Sequence, residues 1–234
     1  MLLLFDIDGT LVAGAAKVHA QALNAAIEEV HGVDPSGLRD RINPAGRTDG
    51  EIARLILLDR GVSALRIDER AADVREACCR IYAQICPRDL SAHVVPGIPD
   101  VLAWLGERES ARLALLTGNY EPIGRLKLAR AGLGKWFPTG QGAFGSDSED
   151  RAALPAIARR RSGHARREDT IVIGDTPRDI ACARADGVRC VAVTSGQYGA
   201  GELAGADAVA RDADELRARL DEILTASAPG TGSA

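Results

Sequence analysis

Leu2-Leu3-Leu4-Phe5-Asp6-Ile7-Asp8-Gly9-Thr10 is the stretch on which the fold turns. Four large apolar residues in succession read as a strand buried on both faces, the pattern of a parallel sheet covered by helices. Asp6 and Asp8 stand where that run stops. They therefore lie at the carboxyl end of the strand, the edge at which open α/β sheets place their chemistry. Two aspartates two residues apart, followed by Gly-Thr, suit phosphoryl transfer: one carboxylate can attack phosphorus, the other can shuttle the leaving-group proton, and both can help hold a divalent ion. A lone D-x-D is also found at ordinary acidic strand-to-turn junctions, so the rest of the chain has to decide.

Downstream of Val12 the period changes from strand to helix. Val18, Leu23, Ala26, Ile27 and Val30 fall near one face, with Gly32 as a stop. Thr48-Asp49-Gly50-Glu51 opens a second helix with a capping-box pattern, and a third is expected from about 68 to 85. Residues 14–93 contain no strand pattern. After Val94-Val95-Pro96-Gly97 helices and strands alternate: helix 98–109, strand 113–116, helix 122–131, strand-like 142–144, helix 150–161, strand 170–173, helix 177–185, strand 190–193. Such alternation predicts an α/β protein with a parallel sheet covered on both faces, and makes residues 14–93 an all-helical insertion after the first strand. Residues 1–13 and 94–225 then form the core. The Ser/Ala/Pro/Gly stretch 226–234 reads as a flexible tail.

Composition narrows the partners. With 46% hydrophobic residues in 234 the chain can bury a sizeable core, and its net charge of −4 with scattered basic residues gives no footprint for nucleic acid. Five cysteines without C-x-x-C spacing suggest neither a disulfide framework nor a zinc site. No run reaches the ~18 apolar residues of a membrane span, and no basic region precedes the first apolar run. A cytoplasmic protein acting on a small soluble molecule, as monomer or homodimer, is expected. Arg159-Arg160-Arg161 reads as a solvated helix end.

Two further strands end in polar groups. Leu113 to Leu116 runs into Thr117-Gly118-Asn119, and Thr170 to Ile173 runs into Gly174-Asp175-Thr176-Pro177-Arg178-Asp179. With Asp6 and Asp8, three apolar strands thus deliver candidate groups to one edge, the convergence a site needs. Thr117 offers a hydroxyl and Gly118 an unobstructed amide to phosphate oxygens, although such residues also make ordinary turns. A phosphate facing several carboxylates needs compensating positive charge, hence a bound metal and a basic side chain. Arg151 and Lys127 are both candidates for the latter.

These motifs resemble those of the haloacid dehalogenase superfamily, and the layout is similar to that of its phosphoglycolate phosphatases. The resemblance spans nearly the whole chain: D-I-D-G-T at 6–10, the Thr117-Gly118-Asn119 turn, a basic residue at Arg151, and G-D-T-P-R-D at 174–179. It implies a Rossmann-like three-layer core with a helical cap at 14–93. It also implies Mg²⁺ held by the Asp6 carboxylate, the Asp8 backbone carbonyl and Asp175, with Asp179 as an adjacent acid. Where those phosphatases usually have Lys-Pro at the third motif, this chain has Arg151-Ala152. The charge is kept but a point contact becomes a fork, and Lys127 stays an alternative carrier of the role.

The expected mechanism has Asp6 attack the ester in line to give an aspartyl-phosphate, while Asp8 protonates the departing alkoxide and then activates water. Retention of Asp8 argues against true dehalogenases. Lys17, next to the linker, is poorly placed as a Schiff-base lysine. Sugar phosphomutases keep both aspartates and survive as an alternative, as does, more remotely, a non-catalytic phosphate-binding or interaction domain. Substrate choice should come from the cap, with Arg47 in Gly46-Arg47-Thr48-Asp49 as the candidate for a substrate carboxylate or second phosphate. His19 and His93, near the linkers, are expected to be structural.

Overall fold

The computed structural model describes residues 1–36 and 42–226. Six parallel strands form one sheet: β1 (Leu2–Phe5), β2 (Arg112–Thr117), β3 (Ala143–Phe144), β4 (Thr170–Gly174), β5 (Arg189–Val193) and β6 (Ala208–Ala210), in the order β3-β2-β1-β4-β5-β6. Phe5 lies opposite Leu115 on one side and Ile173 on the other. That shared register brings Asp6, Thr117 and Asp175 to one edge. The order is that of a doubly wound sheet, whose ligand crevice opens where the winding reverses, here beside β1.

Alternation along each strand feeds two separate cores. Leu3, Phe5, Leu115, Ile171 and Ile173 face one layer, which contains α4 (Ile98–Gly106), α5 (Glu121–Arg130) and α8 (Ala213–Ala226) through residues such as Leu102, Leu128 and Leu220. Leu2, Leu4, Ala114, Leu116 and Val172 face the other, built from α6 (Leu154–Arg161) and α7 (Pro177–Asp186) through Leu154, Ala158 and Ala183. Burial on both faces is what the unbroken apolar run in β1 required.

Between β1 and β2 lie α1 (Ala16–His31), α2 (Asp49–Asp59) and α3 (Ala64–Ile85), a helical cap with no strand among its described residues. α1 packs on α3, burying Leu23, Ala26 and Ile27 with Val74, Ala77 and Cys78. The chain leaves and re-enters the core side by side: Val12 and Val94 form an antiparallel bridge, and Ala13 N donates to His93 O at 2.8 Å.

Several local expectations are corrected. α3 starts at Ala64, because Ser63 caps it by accepting from Arg66 N. Thr48 accepts from Glu51 N as expected, but the Glu51 carboxylate pairs with Arg47 instead of closing the box. The segment expected as one helix over 150–161 is a 3₁₀ turn (Arg151–Ala153) followed by α6, with Pro155 in its first turn. β6 and α8 extend the core beyond the last strand expected. Ala226 belongs to α8, and residues 227–234 of the expected tail lie outside the described residues. Of the arginine run, Arg159 is not simply solvated, since it clasps the buried Asp186 at 2.7 and 2.8 Å.

Candidate active site

Asp6, the first residue after β1, meets Asp175, the first after β4, and Asp179 in the first turn of α7. One carboxylate oxygen of each lies within 4.8 Å of the others, and all three residues are buried. Arg151 reaches this cluster from the turn before α6, with Nη2 3.2 Å from Asp6 Oδ1 and also on Asp179 Oδ1. The other Asp179 oxygen accepts from Thr176 N at 3.0 Å and Thr176 Oγ1 at 2.7 Å, completing a capping box at the start of α7. Thr10 Oγ1 donates to Asp175 Oδ1 at 3.2 Å. The backbone presses directly onto these acids: a Cβ at Gly9, whose φ is +90°, or at Gly196 would overlap an Asp175 carboxylate oxygen. Only hydrogen fits there.

Crowding shows in the acid–base balance. Burial pushes the Asp6 carboxyl up to about 7; Arg151 works against this, while Asp179 and Asp8 add to it. Asp175 rises to about 8 through burial and the neighbouring Asp6 and Asp179 charges, against the Thr10 hydrogen bond. Three buried carboxylates and one guanidinium leave excess negative charge. Hard oxygen donors so arranged fit a small divalent cation such as Mg²⁺.

Asp8 has a different environment. Lys127 Nζ lies 2.7 and 2.6 Å from its two oxygens, and Asn119 Nδ2 donates to Oδ2 at 2.8 Å. Burial raises its pKa, but the Lys127 charge and these hydrogen bonds outweigh it and hold the group below the usual carboxylate value. Lys127, a candidate phosphate contact from sequence, is completely buried and does not line the cavity. Its Nζ also meets His19 Nδ1 at 3.2 Å. Because lysine only donates, Nδ1 accepts and Nε2 carries the ring hydrogen, directed at Asp49 Oδ2 3.1 Å away. That same oxygen accepts from Tyr120 N at 2.7 Å.

Asp49 N donates to Gly118 O at 2.9 Å, and a Cβ at Gly118 would overlap the Arg47 carbonyl, so the cap's loop docks on the core's own turn. Thr117 Oγ1 accepts from Asn119 N and Nδ2, which leaves its hydroxyl hydrogen free to donate elsewhere. Arg151 Nε is buried without a hydrogen-bond partner, an orphan donor beside the acids. A cavity of about 470 Å³ opens over these groups, its floor including Asp6, Asp8, Thr117, Arg151 and Asp175 and its roof coming from α1, α2 and the loop before α2. Arg47 lines it, with Nη1 on Glu51.

Of the residues singled out from sequence, Asp6, Asp8, Thr117, Gly118, Asn119, Arg151 and Asp175 line one cavity. Asp179 lies behind, tied to Arg151 and Thr176, and Lys127 lies behind Asp8. Sequence reading missed His19 as a partner of Lys127, as well as Asp49, Thr176 and Gly196. Asp49 and Thr176 carried a usable signal, being polar residues at helix starts; His19 carried none beyond its place in α1.

A family model described as haloacid dehalogenase-like hydrolase matches residues 3–184. Among curated proteins, Phosphoglycolate phosphatase 1 of Pseudomonas aeruginosa is 28% identical over 222 residues, covering 92% of this chain and 77% of the relative. Among solved structures, β-phosphoglucomutase from Clostridium difficile superposes with a TM-score of 0.70 at 16% identity, covering 96% of this chain and 97% of that one. A hydrolase from Pseudomonas syringae gives 0.64 at 24% identity over 94% and 98%. At these identities the solved structures show the shared fold.

Proposed function

This chain belongs to the haloacid dehalogenase-like hydrolases, and on that premise we propose that it is a Mg²⁺-dependent phosphatase that hydrolyses a small phosphorylated metabolite through an aspartyl-phosphate on Asp6. The observation that carries this reading is the position of Asp6: buried, at the carboxyl end of β1, 3.2 Å from the Arg151 guanidinium and open to the cavity. Relatives named as phosphoglycolate phosphatases support the phosphatase class.

Asp6 attacks phosphorus in line, and its oxygen becomes bonded to the phosphoryl group as the ester oxygen leaves. The orphan Nε of Arg151, the Thr117 hydroxyl and the Gly118 amide are the donors available to the equatorial oxygens. Asp8, two residues on and held by Lys127 and Asn119, faces the leaving group. In its protonated form it delivers the proton to the departing oxygen, and the carboxylate that results, which Lys127 and Asn119 favour, accepts one from the water that hydrolyses the acyl-phosphate. Asp6, Asp175 and the Asp8 carbonyl would hold Mg²⁺, with Asp179 adjacent, and when bound the ion offsets the charge of the crowded carboxylates and the phosphate. Arg151, not Lys127, is the phosphate-contacting cation in this account, because Lys127 is spent on Asp8.

The test is release of inorganic phosphate from p-nitrophenyl phosphate and phosphoglycolate by wild type, Asp6→Asn and a chelator-treated sample. Activity that needs both Asp6 and the metal is expected. Full activity in Asp6→Asn removes the nucleophile, and transfer of phosphate within a sugar phosphate without release to water would favour a mutase.

A further inference from the structure

The roof of the cavity is not built for a charged leaving group. Ala16, Ala20 and Leu23 present one face of α1 to it, at spacings of four and three residues, and Ile52 and Ile56 present one face of α2, with Ile42 between them. From Ala16 to Leu23 the apolar stripe runs about 10 Å at 1.5 Å per residue. Two carbons beyond a phosphate held at Asp6 would leave most of it uncovered.

The polar groups on the same roof are already engaged with one another. Among the described residues, Arg47 is on Glu51, and His19 is on Asp49. A carboxylate on the leaving group would meet an Arg47 whose charge Glu51 already balances, while lying among apolar side chains and facing the Asp8 and Asp49 carboxylates. Burying a charge without a partner is costly, and an apolar group on the same wall gains by leaving water.

We propose that the ester hydrolysed here carries an uncharged, largely hydrocarbon leaving group several carbons long, seated against the apolar faces of α1 and α2, and not a short acid such as glycolate. The proposal rests on the phosphatase reading and selects within it. Glu51 acts as a specificity residue by holding Arg47 in an internal pair.

Phosphate release with Mg²⁺ from ethyl, butyl, hexyl and phenyl phosphate, set against phosphoglycolate, tests this. The expected result is a rise in kcat/KM of roughly tenfold or more from ethyl to hexyl phosphate, with phosphoglycolate below the butyl ester. Ile52→Asn should flatten the chain-length series by lowering kcat/KM for hexyl phosphate more than for ethyl phosphate. Glu51→Gln, which frees Arg47, should raise phosphoglycolate relative to hexyl phosphate. A wild-type preference for phosphoglycolate, or a series independent of chain length, overturns this inference and leaves the phosphatase reading standing. Release from no ester by the folded wild type, or release that persists unchanged in Asp6→Asn, overturns the phosphatase reading and this inference with it.

Discussion

Asp6 and Asp8 are two residues apart and differ in what surrounds them. Asp6 shares a buried site with two further acids, whereas both Asp8 oxygens are gripped by the Lys127 ammonium. In the mechanism proposed, Lys127 positions the acid–base group and touches no substrate. Lys127→Met should then lower kcat by about 100-fold, the scale expected when a catalytic group is misplaced by an ångström, with a much smaller change in KM; steady-state kinetics on a folded variant decide it. Lys127→Arg should not restore the rate, since a planar fork does not fit a fully enclosed point-charge site. Gly196 offers a purely steric probe. Adding a methyl there displaces the Asp175 carboxylate, so Gly196→Ala should raise the Mg²⁺ concentration needed for half-maximal activity, and an unchanged metal requirement would contradict the assigned role of Asp175. Asp6, Asp8 and Asp175 were legible in sequence because each acid stands at the end of an apolar run. His19 was not, because its partner Lys127 is 108 residues away and only the packing of α1 against the core brings them together.

At the scale of elements, the helix starts carry the site. Thr176 caps α7 and holds Asp179, which in turn holds Arg151, so one hydroxyl links helix stability to the position of the cation proposed to contact phosphate. Thr176→Ala should cost about 1 kcal/mol of stability, as N-cap losses do, and should also lower activity beyond the effect of that destabilisation. Melting temperature and kcat measured together separate the two. The strands β1, β2 and β4 and the helices of the cap could be read from period and caps. β6 could not, because three residues, Ala-Val-Ala, carry too little pattern. α8 had a signal in Leu216, Leu220 and Leu224 at four-residue spacing, all buried against the α4 layer. Leu220→Ala should cost about 2–5 kcal/mol if α8 is an integral part of the core. A loss near zero in chemical denaturation would show that it is not.

For the whole molecule, the topology places the acids and the cap on opposite sides of one cavity, and in the account proposed the charge excess at the floor makes a bound cation stabilising. Asp6 and Asp175 are raised to about 7 and about 8 in the folded chain, against a usual 3.8. A carboxyl raised on folding binds its proton more tightly in the native state, so its contribution favours folding below pH 4 and is lost as pH climbs through 7 and 8. Metal-free protein should therefore melt at progressively lower temperature from about pH 4 to 8 and level off above that, and Mg²⁺ should restore most of the loss at the upper end. Calorimetric scans with and without the ion check this; a metal effect independent of pH would contradict it.

The central claim is that the Asp6 carboxylate itself takes the phosphoryl group. Acid-quenching the enzyme during turnover with Mg²⁺ and a hydrolysed ester, followed by peptide mass spectrometry, should find the mass of one phosphoryl group on the peptide containing Asp6 in wild type and none in Asp6→Asn. Turnover with no phosphorylated Asp6 at any quench time, or the group on another residue, would contradict the account.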